Sequence, residues 1–530
     1  MNPPIRPVAS SPSASRRLPV AGGAGTRQPC VAPVPRPAVA CPAYGKLQPA
    51  VPAALPTRPS RRDELLAAYR QLHPAPPTAP QGVPRRRPRR LLRAPLAVAT
   101  ALLCHASAAV PPPPVLEYPR SQAFLYELEL GTYLSDNRSR RSPSDDAGVV
   151  LLPGMNFSWF RLGSRFEARA TGRIEHYQWL ESGPEDDLRL RLAAALDWQI
   201  VPQRLYWTLQ DYADTQPVNL LLGDSPDNLQ QTNVVLTGPS LRLWPQGIWS
   251  GLVEARYAHS YAEVTEAFNS ERLSASAWLR YQPHPRRLFS IGAEGSDVEF
   301  REQSPDNPDF RRTDYVARYQ SHFRRLGFEL AGGRSRIEYV TGEEVTGPIA
   351  RATVRFDFNE NHQLRVSALR EYSDAVRDML GEVNRFDRPR EMRSRPQLRP
   401  QQFRVESAEV AWRSRHPRGE WWVMPYARDY DYPFEDEPLT HQATGITAEG
   451  RYRLNSTLDL RGEIAFERRR FEDDLRVDRD ARVGLHLERM LNSRWSLRTG
   501  VIRYDRRSNG DGANYRENVL AVALVRHGGL

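Results

Sequence analysis

From Ala123 to near the end of the chain, apolar and polar residues alternate with a period of two. In Arg165–Glu175, one face carries Phe166, Ala168, Ala170, Gly172 and Ile174, and the other carries Arg165, Glu167, Arg169, Thr171, Arg173 and Glu175. Leu188–Ile200 groups Leu188, Leu190, Leu192, Ala194, Leu196, Trp198 and Ile200. Pro348–Phe358 sets Ala350, Ala352, Val354, Phe356 and Phe358 against Arg351, Thr353, Arg355 and Asp357. Later copies are Leu458, Leu460, Gly462, Ile464 and Phe466, then Ala481, Val483, Leu485 and Leu487. This period belongs to strands, whose successive side chains point to opposite sides. The runs are about 10–14 residues long, whereas soluble strands average five or six and a tilted strand crosses a bilayer in about 9–11. No run of 18 apolar residues occurs, which excludes helical spans.

The breaks between runs also alternate. Short ones fall at Leu162-Gly163, Pro202-Gln203, Pro245–Gly247, Pro283–Arg287, Arg324-Arg325, Asn359–Asn361, Pro417–Gly419, Leu454-Asn455 and Asn492-Ser493. Between them lie longer polar segments such as 179–187, 213–229, 260–270, 301–311 and 374–402. Short turns at one end and long loops at the other are the habit of membrane barrels. Nine short turns and ten longer connections predict an all-β chain. Its fold is a transmembrane up-and-down antiparallel β-barrel of about 20 strands (range 16–22) over residues 123–527. Trp and Tyr agree, since many stand near strand ends where a headgroup girdle needs them: Trp159, Trp179, Trp198, Trp244, Trp249, Trp278, Tyr177, Tyr257, Tyr281 and Tyr452. The last strand, Asn518–Arg526, is followed by His527-Gly528-Gly529-Leu530 rather than by the terminal aromatic residue common in such barrels.

If the apolar face meets lipid, the charged face lines the lumen. Arg165, Glu167, Arg169, Arg173, Glu175, Arg189, Arg191, Arg351, Arg355, Asp357, Arg461 and Glu463 are then expected to point inward, with Asp459 and Arg482. Mixed signs on neighbouring strands allow cross-strand pairs that stiffen the wall. The longest connection, 374–402, carries Arg385, Arg388, Arg390, Arg393, Arg395 and Arg399 against Asp387 and Glu391. Folded inward it would constrict the lumen and favour anions; lying outside it would meet lipopolysaccharide phosphates or stay solvated. The loop 133–147, with Arg138, Arg140 and Arg141, leaves the same choice open.

Whole-chain composition changes this picture only at the front. The formal charge of +11 suggests a nucleic-acid partner until it is divided along the chain. Residues 1–108 hold 15 Arg and Lys46 against Asp63 and Glu64, and 21 of the 46 prolines. Residues 109–530 keep 58 basic and 61 acidic groups, so the barrel has no basic excess and no nucleic acid is expected. Cys30, Cys41 and Cys104 all lie in the front part, which suits an oxidising compartment for the rest.

Residues 84–108 read as a secretory signal. Six arginines between Arg85 and Arg93 precede the apolar run Ala94–Cys104 and the small residues Ala106-Ser107-Ala108, placing cleavage between Ala108 and Ala109. The run is too short for a membrane anchor. Leu103 does not suit a lipid-modified Cys104, and Arg89-Arg90 would call a route for folded cargo. Residues 1–83 form a Pro/Ala/Arg-rich extension without hydrophobic period, read either as disordered or as lying before a start near Val83. Residues 109–122 are a periplasmic linker.

No metal-ligand spacing, phosphate loop or dinucleotide motif occurs, so no cofactor or metal is expected. A membrane hydrolase would need a polar triad near the outer rim. His259-Ser260 sits near an outer strand end and His322 and His441 lie elsewhere, no local signature surrounds any of them, and neighbouring strand residues face opposite sides. The expected function is therefore a porin-like channel, with a closed structural or adhesin-like barrel second and an enzyme last.

One segment resembles a known family. Pro226, Asn228, Gln230, Gln231 and Asn233, followed by Thr237-Gly238-Pro239, are similar to a stretch in bacterial outer-membrane β-barrel proteins associated with exosortase/PEP-CTERM and exopolysaccharide gene clusters. Ala255-Arg256-Tyr257 and Tyr261 follow. The resemblance implies a noncatalytic barrel in the Gram-negative outer membrane. It implies a role in exporting surface polysaccharide or protein, with a polysaccharide-export system as partner; outer-membrane lipid, lipopolysaccharide and the barrel-assembly machinery are the further partners expected of such a barrel. Read as turn and strand residues, Pro226 and Asn228 cap a strand end, and Gly238-Pro239 makes a bulge or kink.

Overall fold

The computed structural model describes residues 122–142, 146–180, 186–302, 307–383, 401–432, 439–471, 476–510 and 514–529. The proposed extension, signal, cleavage point and linker, and the arginines between Arg385 and Arg399, lie outside the described residues.

Twenty strands follow one another: β1 Gln122–Ser135, β2 Gly148–Leu162, β3 Phe166–Trp179, β4 Asp187–Val201, β5 Leu205–Pro217, β6 Leu229–Leu243, β7 Trp249–Ala262, β8 Ser270–His284, β9 Arg287–Phe300 and β10 Phe310–His322. They continue with β11 Leu326–Tyr339, β12 Glu344–Asp357, β13 His362–Ser373, β14 Phe403–His416, β15 Gly419–Asp431, β16 His441–Arg453, β17 Leu458–Phe471, β18 Val477–Met490, β19 Trp495–Ser508 and β20 Tyr515–Gly529. One helix, α1, spans Ala375–Val383 between β13 and β14. Each strand pairs antiparallel with the next, and β20 closes on β1 from Leu125↔Gly529 to Ser135↔Val519. The sheet has no free edge, so every strand's backbone polar groups find partners within the wall, as hydrocarbon requires.

All nine short turns stand where the breaks in the pattern put them. The opposite end is less uniform than expected. β11 and β12 are joined by 340–343 alone, and β17 and β18 by 472–476. The strands also run further into the loops, so that 213–217 and 260–262 belong to β5 and β7.

The alternation sorts cleanly into outside and inside. Leu130, Leu188, Leu209, Val253, Leu279, Ile291, Leu330, Val366, Ile446, Leu485, Val501 and Val522 are exposed on the outer wall. Their sequence neighbours face the lumen. A soluble monomer rarely exposes apolar surface on this scale, and a ring of it around a closed sheet is a lipid-facing belt. At the short-turn end the belt is edged by contiguous rings. Trp249 and Tyr281 lie 4.6 Å apart, Phe289 and Tyr319 4.5 Å, and Trp412 and Trp421 5.9 Å. Two residues expected in the girdles are elsewhere. Trp278 is buried in the lumen under the Arg318 guanidinium, and Tyr177 packs beneath Arg189.

Prolines mark where the wall's ladders skip. Pairing lapses at Pro153 between β2 and β3, at Pro239 between β6 and β7, and at Pro425 between β14 and β15. Proline has no N–H to give to a ladder.

Candidate functional site: the lumen and its cap

The lumen is hydrated at the short-turn end and packed at the loop end. Glu167, Arg169 and Asp197, near the turns, are exposed, whereas Tyr212, Asp214, Gln230, Thr232, Arg312, Asp478, Arg506 and Glu517, near the loops, are buried. Three loops produce this asymmetry by folding inward.

The β13–β14 connection supplies the first. Asp374 ends the wall and starts α1: its carboxylate accepts a hydrogen bond from Arg377 N at 2.9 Å, an N-cap, and another from Arg272 Nη2 of β8 at 2.8 Å. Burial pushes the Asp374 carboxyl up, but the Arg272 guanidinium beside it outweighs this and holds it below the usual aspartate value. Arg377 reaches Asp314 of β10 at 3.2 Å. Ala375, Val376, Met379 and Leu380 then pack on Ala193, Tyr212, Val234, Ala262 and Phe268, which belong to β4–β7 and the loop after it. Small side chains at Ala193, Val234 and Ala262 leave room for the helix. Of the placements open to 374–402, its described helical part takes the inward one.

The β5–β6 loop supplies the second. Its apolar Leu220–Leu222 turn delivers the Leu221 carbonyl to Arg476 and, at 3.1 Å, to Arg506 Nη2. Arg506 is 1% exposed and binds Asp478 at 2.7 Å and Asp480 at 2.9 Å. Gly223, at φ +76°, passes so close that a Cβ there would stand 2.8 Å from Arg506 Cδ. The third loop is 136–147. Arg140 binds Glu517 at 2.7 Å and the Asp224 carbonyl at 2.7 Å, and Arg141 pairs with Asp227. Arg138 pairs with Asp146 at 2.8 Å. Burial would raise the Asp146 carboxyl, but hydrogen bonds from Ser139 and Arg138 hold it below the usual range. These arginines therefore engage protein carboxylates.

Beneath the cap the lumen is divided. On the β7–β12 side it is filled by Leu252, Trp278, Val316 and Ile349. On the other side is a cavity of about 860 Å³. Eight arginines line it (Arg173, Arg191, Arg365, Arg413, Arg451, Arg461, Arg482, Arg498) against Glu129, Glu420, Glu449 and Glu463. Ion pairs hold seven of these arginines in place: Arg173–Glu175, Arg191–Asp214, Arg413–Glu420, Arg451–Asp459, Arg461–Glu488, Arg482–Glu463 and Arg498–Glu129.

Among the residues named from the sequence, Arg173, Arg191, Arg461 and Glu463 meet in this cavity. Glu175 and Arg189 face inward nearer the cap, held by Arg173 at 2.6 Å and Asp187 at 2.8 Å. Glu167 and Arg169 sit at the open mouth. Arg351 pairs with Glu371, and Arg355 with Asp357 at 3.1 Å, on the β12 wall beside the cavity, where Asp357 also accepts from Gln363 of the lining at 2.7 Å. Arg165 is not on the wall: it belongs to the turn before β3, where its carbonyl accepts from Gln199 N.

The segment that carries the family resemblance is structural. Asn228 closes the β5–β6 loop, receiving Asn219 N at 2.9 Å and donating to the Asn219 and Gly223 carbonyls. Gln230 accepts from Val264 N and Thr265 N and so pins the next loop. Regular β4–β5 pairing starts only at Leu192↔Ala213, and Gln231 fills the gap above by bonding both backbone groups of Leu190. Gly238-Pro239 interrupts pairing opposite Ala255-Arg256.

Two of the histidines named from the sequence, His259 and His441, stand in no catalytic set. His259 faces out beside Arg301, while Ser260 faces in and is bonded to Ser270. His441 lies between Tyr430 and Phe471, and its Nδ1 contacts the Leu439 carbonyl. Among the described residues no group of His, Cys, Asp and Glu could hold a metal ion.

No family model and no curated protein matches the chain. Among solved structures it is similar to the siderophore receptor PirA from Pseudomonas aeruginosa (10% identity, 76% of this chain and 80% of that chain, TM-score 0.40). It is also similar to PirA from Acinetobacter baumannii (9%, 76% and 80%, TM-score 0.43) and to the FrpB iron transporter from Neisseria meningitidis (9%, 76% and 81%, TM-score 0.40). Likeness at this level assigns no ligand, partner or activity to the chain.

Proposed function

We propose that the protein is a porin-like channel of the Gram-negative outer membrane, closed at rest by its inward-folded loops and selective for anionic solutes or an anionic surface polymer. The observation that carries the reading is the cavity beneath the cap, lined by eight guanidinium groups that ion pairs hold in place. A guanidinium group carries five N–H donors, so a group fixed by one carboxylate keeps donors for the oxygens of an entering anion. The loop end faces the cell exterior, as long loops do in such barrels. The family resemblance in Pro226–Pro239 supports a role beside polysaccharide export.

A second reading, a permanently closed structural barrel, is favoured by the buried Arg506–Asp478 pair that ties the β5–β6 loop across the lumen. Conductance in planar bilayers separates the two. The channel reading expects small or flickering currents from the intact protein. It expects steady, anion-selective currents once residues 374–402 are replaced by a short linker. Silence in both forms overturns it and leaves the structural barrel.

A further inference from the structure

The outer wall near the loops is not uniform. Around most of the rim, outward charges are mixed and paired: Arg311 with Asp297 at 2.6 Å, and Arg336 with Glu338 at 2.7 Å and Glu344 at 3.0 Å. On β17–β20 arginines predominate among the described residues. Arg468 stands directly opposite Arg479, and Arg479 directly opposite Arg507, so three exposed guanidinium groups form one row across β17, β18 and β19. Arg470, Arg503 and Arg516 flank the row on the same face. Among the described residues Asp505 is the carboxylate on this outward face, binding Arg507 at 2.9 Å and Arg516 at 3.1 Å; Asp136 lies at the margin on Asn518, and Glu467 and Asp480 line the concavity below. Like charges placed opposite one another on a sheet repel. An anion placed between them removes that repulsion.

The surface below supplies the second half of the argument. Phe466, Ile446 and Val483 line, with the arginines, a concavity of about 670 Å³ on this wall. The lipid-facing residues Ile464, Leu485 and Val501 continue downward from it. Cationic groups capping an apolar wall at the level of the outer leaflet match a ligand with phosphates above and several acyl chains below.

We propose that the outer face of β17–β20 docks a phosphorylated, multiply acylated glycolipid, the lipid A portion of lipopolysaccharide. Its phosphates bridge Arg468, Arg479 and Arg507, and its chains lie along Phe466, Val483 and the belt beneath. The proposal rests on the outer-membrane reading above, and it is independent of whether the lumen conducts.

The test is native mass spectrometry of the full-length protein in detergent with added bisphosphorylated lipid A. The wild type is expected to retain lipid A. Arg468→Gln/Arg479→Gln/Arg507→Gln is expected to bind it about tenfold more weakly or worse. Arg311→Gln/Arg336→Gln, on the mixed rim, is expected to bind it unchanged. Lipid A stripped of both phosphates should be lost from the wild type. Heat-modifiable gel mobility checks that each variant is folded, and Arg479→Gln alone serves if the triple variant is not. Equal retention by wild type and the folded arginine variant, or equal retention of the dephosphorylated lipid, overturns the docking site. Recovery of the protein in a fraction other than the outer membrane would instead overturn the localisation on which it rests.

Discussion

Asp374 joins wall, helix and lumen in one carboxylate. It caps α1 through Arg377 N and pairs with Arg272, which holds its folded pKa below the ordinary value. A depressed carboxyl contributes stability that is complete above the unfolded value of about 3.9 and is lost as pH falls through the lower folded value. The cap should therefore hold from neutral pH down to about 4 and release only below. Asp374→Asn keeps a good N-cap but removes the charge. It should open the channel at neutral pH and abolish the acid-dependent step. Conductance recorded against pH checks both, and an unchanged profile in the variant would refute the latch. Gly238 poses a second residue-level case. At φ +154°, with the Ala255 carbonyl oxygen where a Cβ would go, it tolerates no side chain. Gly238→Ala should cost about 1–3 kcal/mol, read as a lowered urea midpoint for unfolding from micelles.

At the scale of the strand, the period-two pattern made the wall legible. Each run set its own inside and outside, and eight of the nine short turns carried Gly, Pro or Asn where the chain reverses, the exception being Phe323-Arg324-Arg325. What stayed hidden was whatever depends on a partner across the lumen. Leu220–Leu222 and Ala375–Leu380 are apolar segments inside polar connections, a signal that such segments must be covered, but nothing local names Arg506 or Phe268 as the cover. Trp278 alternates correctly yet faces inward, because Gly292 on the adjoining strand leaves its ring a place in the lumen. The two faces of a strand should respond differently to the same kind of change. Leu485→Arg on the belt should cost about 2–4 kcal/mol near the bilayer midplane. Arg482→Gln, three residues earlier and inside, breaks a pair with Glu463 in hydrated surroundings and should cost under about 1 kcal/mol. Refolding titrations into lipid vesicles measure the contrast, and equal costs would mean the faces are wrongly assigned.

At the scale of the molecule, one wall encloses two unlike halves. The β7–β12 side is packed with Trp278, Leu252 and their neighbours, and the opposite side holds the arginine cavity. On the channel reading, ions fill the lower vessel from the turn end, and that part supports little voltage. Any potential across the membrane then falls almost wholly over the thin layer formed by α1 and the β5–β6 and β1–β2 loops. A charge moved through the full drop changes energy by about 2.3 kcal/mol per 100 mV. Arg272, Asp374, Arg377 and Arg506 sit within that layer, so the cap is also the part of the molecule on which an electric field does its work.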